Sequence, residues 1–128
     1  MSAPAGKPSV GKHQIQIKRV YEKPSPDDGT RFLIDRLWPR GVKKSTLAGV
    51  EWLKDVAPST PLREWFGHEP AKWKEFQKRY RAELKENSDA WKPLLDALKK
   101  SDVTLLYGAK DQEINHAVVL KAFLGSRQ

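Results

Sequence analysis

VTLLYGAKDQEINHA, residues 103–117, is the stretch of sequence that decides the fold. It opens with a short apolar run that no charged residue interrupts, which is typical of a central strand buried on both faces. Residues 108–113 then form a polar loop, and Asn115 is a good N-cap for a last, almost wholly apolar helix. A buried strand that is followed by a loop and a helix indicates an α/β fold.

Three further strands are predicted upstream of this stretch. Residues 13–20 alternate apolar and polar side chains, as a half-buried strand does. Residues 32–38 are predicted to form a second strand, in which Asp35 and Arg36 interrupt the apolar run and point one to each face. Residues 50–56 are ambiguous between strand and other structure, and we interpret them as a short strand.

Helices are predicted between these strands and the central one. The first begins at Thr60, where a hydroxyl can cap the helix and a proline follows, and it ends at Gly67. The next two carry apolar stripes of helical period: Trp73, Phe76, Tyr80 and Leu84, then Trp91, Leu94, Leu95 and Leu98. The order of elements therefore predicts an α/β fold with a small, mostly parallel or mixed sheet of three to four strands covered by helices.

The chain has 128 residues and no cysteine. This length fits one domain, which we place at residues 13–128, after a flexible basic tail over residues 1–12. The absence of cysteine excludes a disulfide framework, a thiolate zinc site, an iron–sulfur cluster and a cysteine nucleophile. The three histidines show no metal-ligand spacing, so neither a metal nor a cofactor is expected. No apolar run could span a bilayer and no secretory signal is visible, so we expect a cytoplasmic location and no membrane partner.

The formal net charge of +8 favours an anionic partner, such as nucleic acid, a nucleotide, a phosphorylated metabolite or an acidic protein. Half of this excess comes from Lys7, Lys12, Lys18 and Arg19, which precede Glu22, the first acidic residue. Elsewhere the charges are mixed, as on a solvated helix face. The charge alone therefore supports a nucleic-acid partner only weakly.

Two arginines near the end of the predicted second strand suggest an anion clamp. Arg36 lies within an apolar run, and an unpaired guanidinium is costly in a dry interior. Arg40 lies just beyond, on a loop that Pro39 and Gly41 restrict. Two guanidinium groups at one strand end can each bind an anion through two donors. The alternative is a buried network of Asp35 and Arg36 that only fixes the loop.

The loop and helix after the central strand supply the other candidates. Ligands of open α/β sheets bind outside the carboxyl ends of the strands, beside helix N-termini. Asn115 would bring such a terminus to this edge, next to Tyr107. His116 on the first turn and Asp111 on the same rim are candidates for proton transfer. The alternative is that Asn115 only caps the helix and His116 packs against Tyr107.

His68 completes the predicted site at a corner between two helices. It follows Gly67 at a helix end, so we expect it to be exposed and to line the rim, whereas the neighbouring Trp65 and Phe66 are expected in the core. The catalytic candidates are thus His116 and Asp111. The ligand-binding candidates are Arg36, Arg40, His68, Asn115 and Tyr107.

Four segments in order resemble a known family: DRLWPRG (35–41), EWLKDVAPS (51–59), LREWFGH (62–68) and TLLYGAKDQEINHAVVL (104–120). Together they resemble domain-of-unknown-function family 488, specifically its short YeaO-like branch, over residues 15–124. The resemblance implies a compact α/β domain of bacterial and archaeal cytoplasmic proteins, without an established activity.

The sequence leaves three functions open. The first is binding of, or catalysis on, a small anionic ligand such as a nucleotide, at a pocket beside the strand ends. The second is a nucleic-acid-associated basic protein. The third is a non-catalytic accessory or regulatory protein, in which the clustered polar groups only stabilise loops.

Overall fold

Four parallel strands form one sheet in the order β1-β4-β2-β3. The computed structural model describes residues 13–128, so the tail predicted at residues 1–12 lies outside the described residues. In this structure every residue of β4 is buried and the strand lies between β1 and β2, which confirms the prediction of a central strand. The predicted α/β fold with a small sheet of three to four strands is also confirmed. The strands are β1 (Ile15–Arg19), β2 (Thr30–Leu33), β3 (Glu51–Trp52) and β4 (Val103–Tyr107).

The helices pack on one face of this sheet, where they form the larger buried cluster of the protein. Phe32 of β2 and Leu105 of β4 belong to the same buried cluster as the apolar faces of the helices. Both predicted apolar stripes lie on that side, with Phe76, Tyr80 and Leu84 buried on one helix. The helices are α1 (Thr60–Phe66), α2 (Trp73–Glu86), α3 (Ser88–Leu98) and α4 (His116–Gly125).

The other face of the sheet is covered by loops. Leu33 and Leu106 point to this side, where they pack with Leu47 and the partly buried Trp38. The connection from β1 to β2 crosses the same face, because Thr104 of β4 donates its hydroxyl hydrogen to the carbonyl oxygen of Asp28 at 2.7 Å. Loop cover on one face and helix cover on the other leave the strand ends free to form a site.

The second strand is shorter than predicted. It ends at Leu33, so Asp35 and Arg36 lie beyond it, and the prediction that they point to opposite faces of a strand is wrong. The physical reason lies in Gly108, whose N–H donates to the Asp35 carboxylate at 2.8 Å. A side-chain oxygen thus takes the place that a backbone carbonyl would have in a longer ladder.

The prediction of a strand over residues 50–56 is also mostly wrong. Only Glu51–Trp52 pairs with β2, and a 3-10 turn over Lys54–Val56 follows at once. The N–H of Leu53 still bonds to Leu33, which is the last pairing available because β2 ends there. The first helix begins at Thr60 as predicted, but its capping side chain is that of Ser59, which accepts from the N–H of Leu62.

The parallel sheet brings all four carboxyl ends to one edge. In open α/β sheets this edge is where ligands bind, because loops and helix N-termini converge there. Within residues 13–128, no helix has both the length and the apolar character that crossing a membrane requires.

Candidate functional site

A cleft of about 210 Å³ opens at the carboxyl ends of β2 and β4. Its lining comes from the segment that follows β2, from the segment before α1, from α1 and the corner after it, and from the start of α4. Apolar side chains provide the floor, where the rings of Phe66 and Phe76 stack with their centroids 4.2 Å apart. The polar lining residues are Asp35, Arg36, Arg63, His68 and His116.

The Asp35 carboxylate is held in place by the end of β4. Its Oδ2 accepts from the N–H of Gly108, and a Cβ on Gly108 would lie only 2.9 Å from that oxygen. Gly108 is thus a position of close approach that a side chain would disturb. The other oxygen, Oδ1, is buried without a hydrogen bond among the described residues, although His116 Nε2 lies 3.3 Å away.

The His116 ring is oriented by the backbone immediately after β2. Its Nε2 lies 3.0 Å from the carbonyl oxygen of Ile34. Because a carbonyl only accepts, this geometry assigns a hydrogen to Nε2 and directs it at Ile34 rather than at Asp35. The ring is largely buried and meets the Tyr80 ring edge-on. One nitrogen of His116 is therefore committed to positioning the ring.

Arg36 ties the segment after β2 to the segment before α1. Its Nε donates to the carbonyl oxygen of Pro58 at 3.0 Å and its Nη2 to that of Ala57 at 3.1 Å. Its Nη1 is 4.0 Å from Oδ1 of Asp55, a side chain that is 79% exposed and therefore well screened. Arg36 thus keeps its full charge at the cleft while it also fixes the wall.

Arg63 and His68 are the exposed polar groups of the cleft. His68 has a φ of 58°, in the left-handed region that non-glycine residues rarely adopt. Its ring lies 5.7 Å from that of Phe66, between centroids. Backbone strain of this kind costs about 1–3 kcal/mol and is concentrated at functional sites. In the described part of the chain, neither side chain forms an ion pair with a neighbour.

The lining of the cleft carries a positive charge. Arg36 and Arg63 contribute two permanent positive charges, and Asp35 is the acidic lining residue, which leaves an excess of one before either histidine is protonated. An anion entering the cleft would therefore gain from the charges that are already fixed there.

The structure places Arg36, His68 and His116 together, as the sequence predicts, but the other four predicted residues do not line this cleft. Arg40 is exposed on the loop that follows β2, and its backbone carbonyl accepts from the Tyr21 hydroxyl at 2.9 Å. Tyr107 is buried, and burial raises the pKa of its hydroxyl.

Asn115 and Asp111 hold the turn that starts α4. The Asn115 side chain accepts from the N–H of Val118 and donates to the carbonyl of Asp111. The Asp111 carboxylate accepts from the N–H groups of Ile114 and Glu113 at 2.9 and 2.8 Å. These two bonds stabilise the charged form and lower the pKa of Asp111. Both side chains are thus engaged in local structure.

Sequence reasoning missed Arg63 as a lining residue. From the segment LREWFGH, the predicted site includes only His68. Gly67 ends α1, and its N–H bonds to the carbonyl of Arg63, so Arg63 lies one turn before the helix end and near His68. That four-residue spacing to the glycine is the signal that would have found it. Nowhere in residues 13–128 do three or more histidine or acidic side chains converge as a metal site requires.

A family model described as "Inactive DUF488-N3 subclade" matches residues 14–128. The chain therefore belongs to this family, and the resemblance to family 488 of domains of unknown function is confirmed. No solved structure matches the chain.

Two relatives cover nearly all of the chain. A protein of Escherichia coli (strain K12), described as uncharacterized protein YeaO, is 48% identical over 112 residues, which is 88% of this chain and 97% of that protein. The Mycobacterium tuberculosis (strain H37Rv) protein described as uncharacterized protein Rv3073c is 41% identical over 118 residues, 92% of this chain and 99% of that protein.

Proposed function

We propose that this member of the inactive DUF488-N3 subclade binds a small anionic ligand in the cleft, without catalysing its conversion. The observation that carries the proposal is the excess of guanidinium over carboxylate charge in a cleft at the carboxyl ends of β2 and β4. Arg63 and His68 are the groups that meet the ligand, since both are exposed and unpaired among the described residues. Arg36 adds its positive charge to the cleft while two of its nitrogens donate to backbone carbonyls.

The size of the cleft limits the ligand. Its volume of about 210 Å³ is below the roughly 300–1,000 Å³ of sites that enclose drug-sized molecules. The ligand is therefore a phosphate, a sugar phosphate or one part of a nucleotide, whose remainder stays in solvent. The apolar floor of Phe66 and Phe76 suits a ligand that carries a carbon skeleton as well as an anionic group.

Binding is favoured over catalysis by the engagement of the two proton-transfer candidates. The Asp111 carboxylate serves the turn before α4, and the Nε2 hydrogen of His116 is directed at a backbone carbonyl. A general acid or base must be free to exchange its proton with the ligand. The description of the family as inactive agrees with this reasoning.

Titration calorimetry on the full chain with inorganic phosphate, ribose 5-phosphate and adenosine 5′-monophosphate tests the proposal. We expect at least one of the three to bind. Arg63→Ala should weaken that binding about tenfold or more, because a hydrogen bond to a charged group contributes roughly 1.5–3 kcal/mol.

Arg81→Ala is the matched control, because Arg81 is an exposed arginine of α2 that does not line the cleft. It should bind as the unaltered chain does. If none of the three anions binds, or if Arg63→Ala and Arg81→Ala weaken binding equally, the cleft is not an anion site.

A further inference from the structure

Three large hydrophobic side chains are exposed within residues 13–128, and they lie at the carboxyl edge of the sheet. They are Tyr21 (49%), Leu37 (63%) and Trp52 (38%). Tyr21 follows the end of β1, Leu37 follows the end of β2, and Trp52 is the last residue of β3. Because the strands are parallel, this arrangement spreads exposed apolar surface along one edge. Leu37 also lines the cleft described above, whereas Tyr21 and Trp52 do not.

The loop after β2 contacts two of these residues, Tyr21 and Trp52. The Tyr21 hydroxyl donates to the carbonyl oxygen of Arg40. Two residues before Arg40, the Trp38 ring packs edge-on against Trp52, with centroids 5.4 Å apart. Trp52 is fixed further by its Nε1, which donates to the carbonyl oxygen of Asp35 at 2.7 Å. The loop after β2 thus contacts the exposed tyrosine through the backbone of Arg40 and the exposed tryptophan through Trp38.

A cation lies over each of two of these aromatic rings. The Arg19 guanidinium lies 4.9 Å from the centroid of the Tyr21 ring, and the Lys54 ammonium lies 5.4 Å from that of Trp52. With Arg40 on the loop that contacts both of these aromatic side chains, this edge carries three cations and two exposed aromatic side chains: Arg19, Tyr21, Arg40, Trp52 and Lys54. We call these five residues the basic-aromatic strip. One end lies on β1 and the other just beyond β3, and these strands are three strand spacings apart, which is about 14 Å.

We propose that the basic-aromatic strip binds single-stranded nucleic acid. Unpaired bases stack on exposed aromatic rings, and cations beside the rings neutralise the phosphates that join those bases. The strip offers both, over a length that fits a short run of nucleotides. The chain's net charge of +8 attracts the same partner at long range. A duplex hides its base faces, and an acidic polypeptide needs no aromatic planes, so neither would use the whole strip.

The basic groups of the strip differ in how far the protein engages them. Arg19 also donates its Nε to the carbonyl of Ala109 at 2.9 Å, while Glu22 accepts from its backbone N–H. Arg40 takes part in the described hydrogen bonds only through its backbone carbonyl, so its guanidinium is free for a phosphate. Arg40 is therefore the residue whose removal should matter most to binding and least to folding.

Fluorescence anisotropy of a labelled oligothymidylate, titrated with the full chain at low salt, tests the proposal. We expect binding that weakens with added salt, and Arg40→Ala should make the salt dependence shallower by about 0.7 in the slope of log K against log salt. Trp52→Ala should weaken binding about fivefold or more through lost stacking. Arg81→Ala, which removes an exposed arginine of α2 away from the strip, should leave the affinity and the slope nearly unchanged.

Trp52→Ala also removes a hydrogen bond to the backbone, so circular dichroism must show that the variant is folded. Arg40→Ala removes no described side-chain hydrogen bond, so its result does not depend on that control. Absence of binding at low salt overturns the proposal, as does an equal loss in Arg40→Ala and Arg81→Ala. Equal affinity for a duplex would show binding by charge alone and would also overturn it. Competition by polyglutamate as strong as by unlabelled oligothymidylate would assign the strip to an acidic protein instead.

Discussion

Replacing Gly108 by alanine tests the contact that holds the Asp35 carboxylate in the cleft. The new Cβ would lie 2.9 Å from Oδ2, so either the carboxylate or the end of β4 must move. Movement of either weakens the 2.8 Å hydrogen bond from the Gly108 N–H. A hydrogen bond to a charged group contributes about 1.5–3 kcal/mol, while the smaller entropy of the unfolded alanine variant returns about 0.4–1 kcal/mol. We expect a net loss of roughly 1–2 kcal/mol in the free energy of unfolding.

Urea denaturation followed by tryptophan fluorescence measures this loss, and a double-mutant cycle assigns its cause. In an Asp35→Ala background the oxygen that the new Cβ meets is gone, so Gly108→Ala should become neutral or slightly stabilising. Asp35→Asn keeps an atom at that place, so the penalty should persist there. Gly125→Ala is the matched control, because nothing lies within 4 Å of a Cβ at that glycine.

The cycle can refute the reasoning. If Gly108→Ala costs the same in the unaltered chain and in Asp35→Ala, within the 0.5 kcal/mol or so to which independent sites add, the two residues are not coupled. The position of the carboxylate in the cleft would then need another explanation.

Three further predictions concern the loop-covered face. Gly29→Ala should destabilise the fold by roughly 3 kcal/mol or more in urea denaturation, because φ is +66° and its Cβ would lie 2.1 Å from the Asp102 carbonyl oxygen. Lys18→Met should cost about 2–3 kcal/mol by leaving the buried Asp28 without its 2.7 Å partner, and Asp28→Asn should restore part of that loss. Burial raises the pKa of Asp28, but the hydrogen bonds from Lys18 and from the Ser25 N–H outweigh it and hold that pKa below the ordinary 3.8. This contribution to stability is therefore complete only above about pH 5, one unit above the unfolded pKa, and it is lost as the pH falls through the lower folded-state pKa. Thermal melts of Asp28→Asn should lack that part of the acid dependence.

The sequence predicted the elements whose pattern reports burial directly. Residues 103–107 are uncharged and mostly apolar because β4 has neighbours on both edges and cover on both faces. The stripe of Phe76, Tyr80 and Leu84 is helical for the same reason: one face of α2 meets the core. In both cases local pattern and tertiary burial agree, so either one predicts the other.

The sequence could not predict where β2 stops, because its end is decided by a residue far away along the chain. Residues 32–38 have a strand-like pattern, but the Gly108 N–H bonds to the Asp35 side chain. The same limit applies to the candidate site. That Arg36, His68 and His116 share a cleft follows from strand ends and helix ends, which patterns indicate. That Arg40 lies outside its lining depends on the course of the loop after β2, which local pattern does not encode.

Arg36 combines parts of both interpretations that the sequence left open without matching either. The anion-clamp hypothesis pairs it with Arg40, which does not line the cleft, and the structural alternative pairs it with Asp35, which bonds to Gly108 instead. Nε and Nη2 are bonded to the carbonyls of Pro58 and Ala57, whereas Nη1 meets only the distant and exposed Asp55. A guanidinium bonded to neutral carbonyls keeps its charge, so it can fix the wall of the cleft and still attract an anion. Because removing Arg36 would change both the wall and the charge, Arg63 is the residue at which anion binding can be tested without disturbing the fold.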